Sequence, residues 1–315
     1  MKTVCLVWLE WPEKCFRADA EALRALRELL PEGAELLRAR TEKAFLRLLP
    51  RATHVITWHF KAEWYSRAKS LKSLSTPGAG RELVDAAAAP DGVRVHFGGY
   101  HGAIISEAVL GFMLAWAHGF FRPELAEADS DGRAWAESWP RSAIGGKCHR
   151  VSGTKAVIAG YGRIGRAIGS KLEAMGVAVE GFSRSNIGGL AKALKDADWF
   201  ILALPSDTGT DNFLDSRLIA RLPRKCVVVN IGRGNAIDEA ALLKALHGQR
   251  IAGAYLDVFH NEPGPLAMVG GSSTGILSRP RADLPRNLVR MPHSSAFCGD
   301  YLKMCFKELK DDGVI

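Results

Sequence analysis

None of the six cysteines lies in a C-x-x-C pair or beside histidines at metal-ligand spacing, so neither a zinc ribbon nor a thioredoxin-type redox site is expected. Cys5, Cys15, Cys148, Cys226, Cys298 and Cys305 read instead as reduced thiols of a cytoplasmic protein, several of them inside apolar strands. Long hydrophobic runs are missing too. The longest, Ala108 to Phe121, has 14 residues and contains His118, which suits a buried helix better than a bilayer span of about 20 residues. The N-terminal apolar stretch is interrupted by Glu10 and Pro12 before it reaches the length of a signal-peptide core. There is no internal repeat and no block of like charge. The formal charge of +8 comes mostly from arginines scattered among acids. Nucleic-acid and membrane partners are therefore not expected, and the basic balance reads as a solvated surface, with steering of an anionic cofactor and substrate as a secondary reading.

What is present is apolar material in regular alternation. With 315 residues, 47% of them hydrophobic, the chain has enough for two cores. Residues 3–8 form an apolar run of strand type, and Ala22, Leu23, Leu26, Leu29 and Leu30 follow at helical spacing up to Pro31 and Gly33. The alternation continues with strands expected at Leu36–Leu37, Val55–Trp58, Leu71–Leu74 and Val93–Val95, and a helix at Phe45–Leu49. The first hundred residues thus read as a small α/β domain with a parallel sheet. Ala103–Gly119 is expected as a long buried helix. Residues 122–153, with Trp135 and Trp139, read as an extended surface connection whose tryptophans serve packing or a subunit contact. From 155 onward strands are expected at 155–159, 177–182, 199–204, 226–231, 252–257 and 288–291, with helices between. Asp238 caps one that ends at Gly248.

Residues 155–165, Lys-Ala-Val-Ile-Ala-Gly-Tyr-Gly-Arg-Ile-Gly, organise the second half. A strand-length apolar run meets Gly160, Gly162 and Gly165 at G-x-G-x-x-G spacing, and Ile164, Ala167, Ile168 and Leu172 then recur at helical period. Gly160 permits the turn, Gly162 admits a pyrophosphate close to the backbone, and Gly165 lets helix and strand pack closely. The N–H groups at the helix start would hold the phosphates of a dinucleotide.

Loops that leave strand ends on one rim of an open α/β sheet carry its chemistry. Four of them here bear reactive side chains: Ser183-Arg184-Ser185, Gly232-Arg233-Gly234, Asp257 with Glu262, and Pro292-His293. Arg233 offers a charged planar fork for a carboxylate and an adjacent carbonyl oxygen. His293 alone of the set exchanges a proton near neutral pH, and Glu262 bonded to its other ring nitrogen would favour the imidazolium. Beside a nicotinamide these groups describe reduction of a 2-oxo acid, with the reverse direction oxidising a 2-hydroxy acid.

The run Val228-Val229-Asn230-Ile231-Gly232-Arg233-Gly234, then Asp238-Glu239, Ile251 to Phe259, Glu262-Pro263 and Met291-Pro292-His293, resembles the second signature block of the D-isomer-specific 2-hydroxyacid dehydrogenases. The resemblance implies an α/β protein with a Rossmann-type, doubly wound cofactor domain at 102–294. It also implies a smaller flavodoxin-like substrate domain made of 1–101 with 295–315, a cleft between the two, and a homodimer. It assigns Arg233 to the substrate, Glu262 to the histidine and His293 to acid/base work. The implied cofactor contacts are Gly160, Gly162, Arg163, Ile164, Gly165, Ser183, Arg184, Ser185, Leu204, Pro205, Ile231, Gly232 and Asp257, the last near the nicotinamide ring. Trp58, near the pocket mouth, and the Gly78-Ala79-Gly80 backbone join Arg233 and His293 as implied substrate contacts.

Three features depart from the family pattern. Where NAD-dependent members usually end the second strand with an acid, this chain has Ser183-Arg184-Ser185, as in NADPH-using glyoxylate and hydroxypyruvate reductases. NADP(H) is therefore favoured over NAD(H), and Glu180, three positions early, is discounted. Gly264–Pro285 is long for the family, rich in Gly, Ser, Pro and Arg, and reads as a mobile surface loop. The chain stops at Ile315, leaving no room for the regulatory C-terminal domain of some 3-phosphoglycerate dehydrogenases. Glu262, in place of a glutamine, counts against a formate dehydrogenase. A non-catalytic dinucleotide sensor resembling the C-terminal-binding corepressors stays open as the alternative.

Overall fold

The computed structural model describes residues 2–121, 148–260, 262 and 275–315. Trp135, Trp139 and the first half of the 264–285 segment, 264–274, lie outside the described residues. The chain divides into two compact units, 1–101 with 297–315 and 102–296, so the return crossing falls at 297 where the sequence places it at 295.

In the first unit the strands are β1 (Val4–Trp8), β2 (Glu35–Arg38), β3 (His54–Thr57), β4 (Ser73–Thr76) and β5 (Arg94–Phe97). They pair in parallel in the order β2-β1-β3-β4-β5. Helix α1 (Ala20–Leu29) starts where Asp19 accepts the Ala22 N–H, and α2 (Glu42–Leu48) where Thr41 accepts that of Ala44. Each such cap contributes about 1 kcal/mol by satisfying an orphan donor. The Thr41 cap is why α2 begins three residues before its first large apolar side chain, Phe45. β4 likewise starts two residues later than expected, because Leu71 is spent closing a turn on the Ala68 carbonyl. Leu6, Val55, Leu74, Phe45, Phe60 and Trp64 form one core of this unit.

The second unit opens with α3 (His101–Ala117). Its sheet contains β6 (Lys155–Ala159), β7 (Ala178–Phe182), β8 (Trp199–Leu202), β9 (Val227–Asn230), β10 (Gly253–Leu256) and β11 (Leu288–Arg290). All pairs are parallel, in the order β11-β10-β9-β8-β6-β7. The side-chain period of two splits the apolar residues between two cores. Val157, Phe200, Leu202 and Val228 enter one, while Ala156, Ile158, Trp199, Ile201, Val227 and Val229 enter the other. A sheet covered on both faces is why these strands read as unbroken apolar runs. The chain moves outward from β6 to β7, then crosses to β8 on the other side of β6. That reversal is the topological switch point at which open α/β sheets bind ligands.

Between the strands run α4 (Arg163–Ala174), the short α5 (Leu190–Ala193) and α6 (Ser216–Ile219), and α7 (Glu239–His247). Asp238 caps α7 by accepting the Ala241 N–H, and Gly248 ends it. Helix α8 (Tyr301–Asp311) completes the first unit. No disulfide joins the six cysteines, and burial pushes the Cys5 and Cys226 thiols up to about 12, which leaves them unreactive. Among the described residues no helix is long and apolar enough to cross a membrane.

The expectation of a mobile loop at 264–285 needs correction at its described end. Ile276 and Leu284 are buried in the core of the second unit, and the Ile276 N–H donates to Glu239 Oε2 at 2.7 Å. These two apolar side chains anchor residues 276–284, of which 278–283 stay exposed.

Candidate active site

The glycine turn follows β6 directly. Gly160 has φ +93°, in the left-handed region that favours glycine, and a Cβ there would collide with the Ala203 carbonyl after β8. The N–H groups of Gly160 and Tyr161 both donate to the Phe182 carbonyl at 2.9 Å, tying the turn to the end of β7. Gly165 lies against the Gly160 carbonyl, too close for any side chain. Gly162, the N-cap of α4, has open space where its Cβ would stand, and no side chain caps this helix. Unsatisfied N–H groups at Arg163 and Ile164, a roomy approach and a positive helix end fit a dinucleotide diphosphate.

Leu204 and Pro205 follow β8, and Ile231 and Gly232 follow β9, on the same edge of the sheet. Beyond β7, Ser183, Arg184 and Ser185 are exposed. The Ser183 N–H donates to Asn186 Oδ1 at 2.7 Å, and the Ser183 and Ser185 hydroxyls share a hydrogen bond of 2.9 Å. Arg184 is ion-paired with Asp207 at 2.6 Å, a partner the sequence did not suggest. Glu180 stands in mid-β7 and is bound by Lys155 at 2.7 Å, away from the strand end.

Arg233 leaves β9 through a turn that Asn230 braces. This fully buried asparagine accepts the Gly232 N–H at 3.1 Å and donates to the Arg233 carbonyl at 3.1 Å. Asn230 is a structural residue the sequence reading passed over. Its signal was a polar side chain closing the apolar run Val227–Val229. The Arg233 guanidinium donates to the Gly232 carbonyl at 2.9 Å and lies near enough to His293 for its charge to be felt there.

His293 sits in a loop built to hold it. Its φ is +52°, a conformation that L residues adopt only when surroundings impose it. Asp257, 2% exposed at the end of β10, imposes it. The Asp257 carbonyl accepts the His293 N–H at 2.8 Å, while its Oδ1 and Oδ2 accept those of Ser294 and Ser295 at 2.8 and 2.9 Å. Both Asp257 carboxylate oxygens are thus engaged by the histidine's own loop.

Glu262 Oε2 accepts from His293 Nδ1 at 2.7 Å, and its Oε1 accepts the Phe259 N–H at 2.8 Å. Two anchored oxygens fix both the ring's orientation and its tautomer. Partial burial pulls the His293 pKa down, but the Glu262 hydrogen bond and charge, helped by Asp257, outweigh it. Arg233 acts in the opposite sense, and the net result lies above the ordinary imidazole value. The side chain is 48% exposed, so water screens this shift, and Nε2 is the nitrogen that remains for proton exchange.

In the first unit, Trp58 is 7% exposed, and its indole N–H donates to the Phe16 carbonyl at 3.1 Å. It packs against Trp11, Phe16 and Tyr301 as part of an aromatic cluster. The Gly78-Ala79-Gly80 loop follows β4, with the Gly78 N–H donating to Thr76 Oγ1 at 3.3 Å and Ala79 exposed.

Residues 111–293 match the family described as D-isomer specific 2-hydroxyacid dehydrogenase, NAD binding domain. The chain is similar to a glycerate dehydrogenase of Methylorubrum extorquens, at 28% identity over 80% of this chain and 78% of that protein. A glyoxylate reductase of Thermococcus gammatolerans is 34% identical over 44% of this chain and 46% of its own length. Among solved structures, a D-isomer specific 2-hydroxyacid dehydrogenase family protein from Aeromonas salmonicida superposes with a TM-score of 0.73. That likeness covers 100% of this chain and 96% of the other at 24% identity, and it speaks for the fold. The glycine turn with its uncapped helix and the braced Arg233–Glu262–His293 set thus sit within residues that carry a recognised family pattern, and the chain belongs to the D-isomer specific 2-hydroxyacid dehydrogenases, oxidoreductases acting on the CH–OH group of 2-hydroxy acids.

Proposed function

We propose that the protein reduces small 2-oxo acids of the glyoxylate or hydroxypyruvate type, with NADP(H) favoured over NAD(H). The observation that carries this reading is the 2.7 Å hydrogen bond between Glu262 and His293 on a backbone held in the left-handed region. Beside a carbonyl substrate such a dyad keeps a proton on Nε2 until the oxygen needs it. A nicotinamide dinucleotide bound at Gly160, Gly162, Arg163, Ile164 and Gly165 supplies the hydride. Arg233 holds the substrate carboxylate and the carbonyl oxygen, and its charge stabilises the negative charge that develops there. His293 Nε2 gives its proton to that oxygen, and Glu262 stabilises the ring while it is charged. The backbone N–H groups of Gly78, Ala79 and Gly80 receive the substrate carboxylate, and Trp58 supports that region from within its aromatic cluster. In the reverse direction neutral His293 takes the hydroxyl proton.

Arg184 supports the cofactor preference, since a guanidinium flanked by two hydroxyls suits a 2′-phosphate where an acid would repel it. We further infer a homodimer located in the cytoplasm. The test mixes the protein with NADPH or NADH and a panel of 2-oxo acids, and follows the absorbance of the reduced cofactor. Turnover of glyoxylate or hydroxypyruvate with a lower KM for NADPH is expected. Cofactor binding without turnover across the panel would refute the reading in favour of a dinucleotide sensor.

A further inference from the structure

Strand order places β7 and β8 on either side of β6. Loops leaving their C-terminal ends therefore flank the glycine turn that follows β6. Arg184 comes from the first of these loops and Asp207 from the second, and their side chains meet at 2.6 Å. At the usual strand spacing of about 4.8 Å, the two strand ends stand about 10 Å apart, and the ion pair closes that gap beside the turn.

The partners are unequal. Asp207 is built in: its Oδ1 accepts the Gly209 N–H at 2.9 Å, and its own N–H donates to Thr210 Oγ1 at 3.0 Å. The Thr210 hydroxyl in turn donates to the Pro205 carbonyl at 2.7 Å. Arg184 is 87% exposed against 32% for Asp207, so the fixed carboxylate decides where the guanidinium rests. An exposed ion pair of this kind contributes little net stability and yields to a stronger anion.

We propose that Asp207 sets the cofactor preference: it is the internal counterion of Arg184, competes with a 2′-phosphate for the same guanidinium, and so holds down the preference for the phosphorylated dinucleotide. This rests on the reading that Arg184 meets that phosphate. A phosphomonoester carries nearly twice the charge of a carboxylate and accepts a guanidinium fork through two oxygens, so it displaces Asp207. The displaced carboxylate stays anchored by its turn and repels the phosphate that replaced it. A ribose hydroxyl, being neutral, meets neither the attraction nor the repulsion. The pair therefore makes the site usable by both cofactors.

The test measures NADPH and NADH dissociation constants for the wild type, D207N, R184A and the double variant, with melting temperatures to show that each is folded. Asparagine keeps the Oδ1 acceptor for Gly209, so the turn survives. D207N is expected to tighten NADPH roughly five- to thirtyfold while moving NADH less than about threefold. In the R184A background the same change should gain less than about threefold for NADPH. Unchanged or weakened NADPH binding in D207N, or a full gain without Arg184, overturns the proposal. R184A alone separates the two readings. If it leaves the NADPH-to-NADH ratio unmoved, the 2′-phosphate assignment itself fails. If the ratio falls tenfold or more while D207N is silent, only the role of Asp207 fails.

Discussion

The His293 loop and the Ser183–Ser185 loop leave the same edge of one sheet, yet they are held in opposite ways. Around His293, a buried carboxylate takes two successive backbone N–H groups, and a second carboxylate takes the ring. Around Arg184, the side chains are exposed and held by a local asparagine and one surface ion pair. The first arrangement stores backbone strain and fixes an angle; the second yields to whatever anion arrives. Proton transfer needs a donor in place before the substrate binds, whereas cofactor choice tolerates a contact made at the moment of binding.

Changes at the two loops are therefore expected to separate cleanly. Replacing His293 by alanine has the largest expected effect, a fall in kcat of roughly 10²–10⁴ for loss of the general acid. Cofactor affinity, read by fluorescence titration, should stay within about threefold. Equal loss of both would make His293 a structural residue and erase the distinction. Next comes D257N, which leaves the buried Ser295 N–H facing an amide donor. It should cost roughly 1–3 kcal/mol of stability. A lower kcat is expected with it, roughly tenfold or more, because the histidine loses its seat. A variant with unchanged melting temperature and kcat would show that the loop holds itself. The smallest effect is assigned to E180Q. Glu180 is bound to Lys155 in mid-strand, so the NADPH-to-NADH ratio of KM values should move less than about twofold. A larger shift would place the ribose contact inside the strand and not at the Ser183 loop.

Much of this was legible in the sequence because it depends on local pattern. Strands buried on both faces show as apolar runs, so all six strands of the second sheet could be located, and the glycine spacing marked the turn after β6. Arg233, Glu262 and His293 followed from their order at strand ends. What stayed hidden depends on partners far apart in the chain. Asp257 reads as one more acid at a strand end until its hydrogen bonds to Ser294 and Ser295 are seen. Arg184 reads as an exposed cation until Asp207, in the loop after a strand two places across the sheet, is found beside it. Trp58 packs against Phe16, Trp11 and Tyr301, and no spacing rule brings those four together.

We propose that Glu262 keeps His293 protonated for delivery to a carbonyl oxygen, and the pH profile of 2-oxo acid reduction reads that role out. Because the His293 pKa lies above its ordinary value, reduction should be fully supported at low pH and lost as pH rises through that raised value, while oxidation gains over the same interval. In E262Q the carboxylate charge is gone, and burial with Arg233 remain to disfavour the imidazolium. The descending limb of kcat/KM for reduction should then move to lower pH by about one unit or more. A limb that stays in place in E262Q, with activity otherwise retained, would show that Glu262 does not hold the proton on His293.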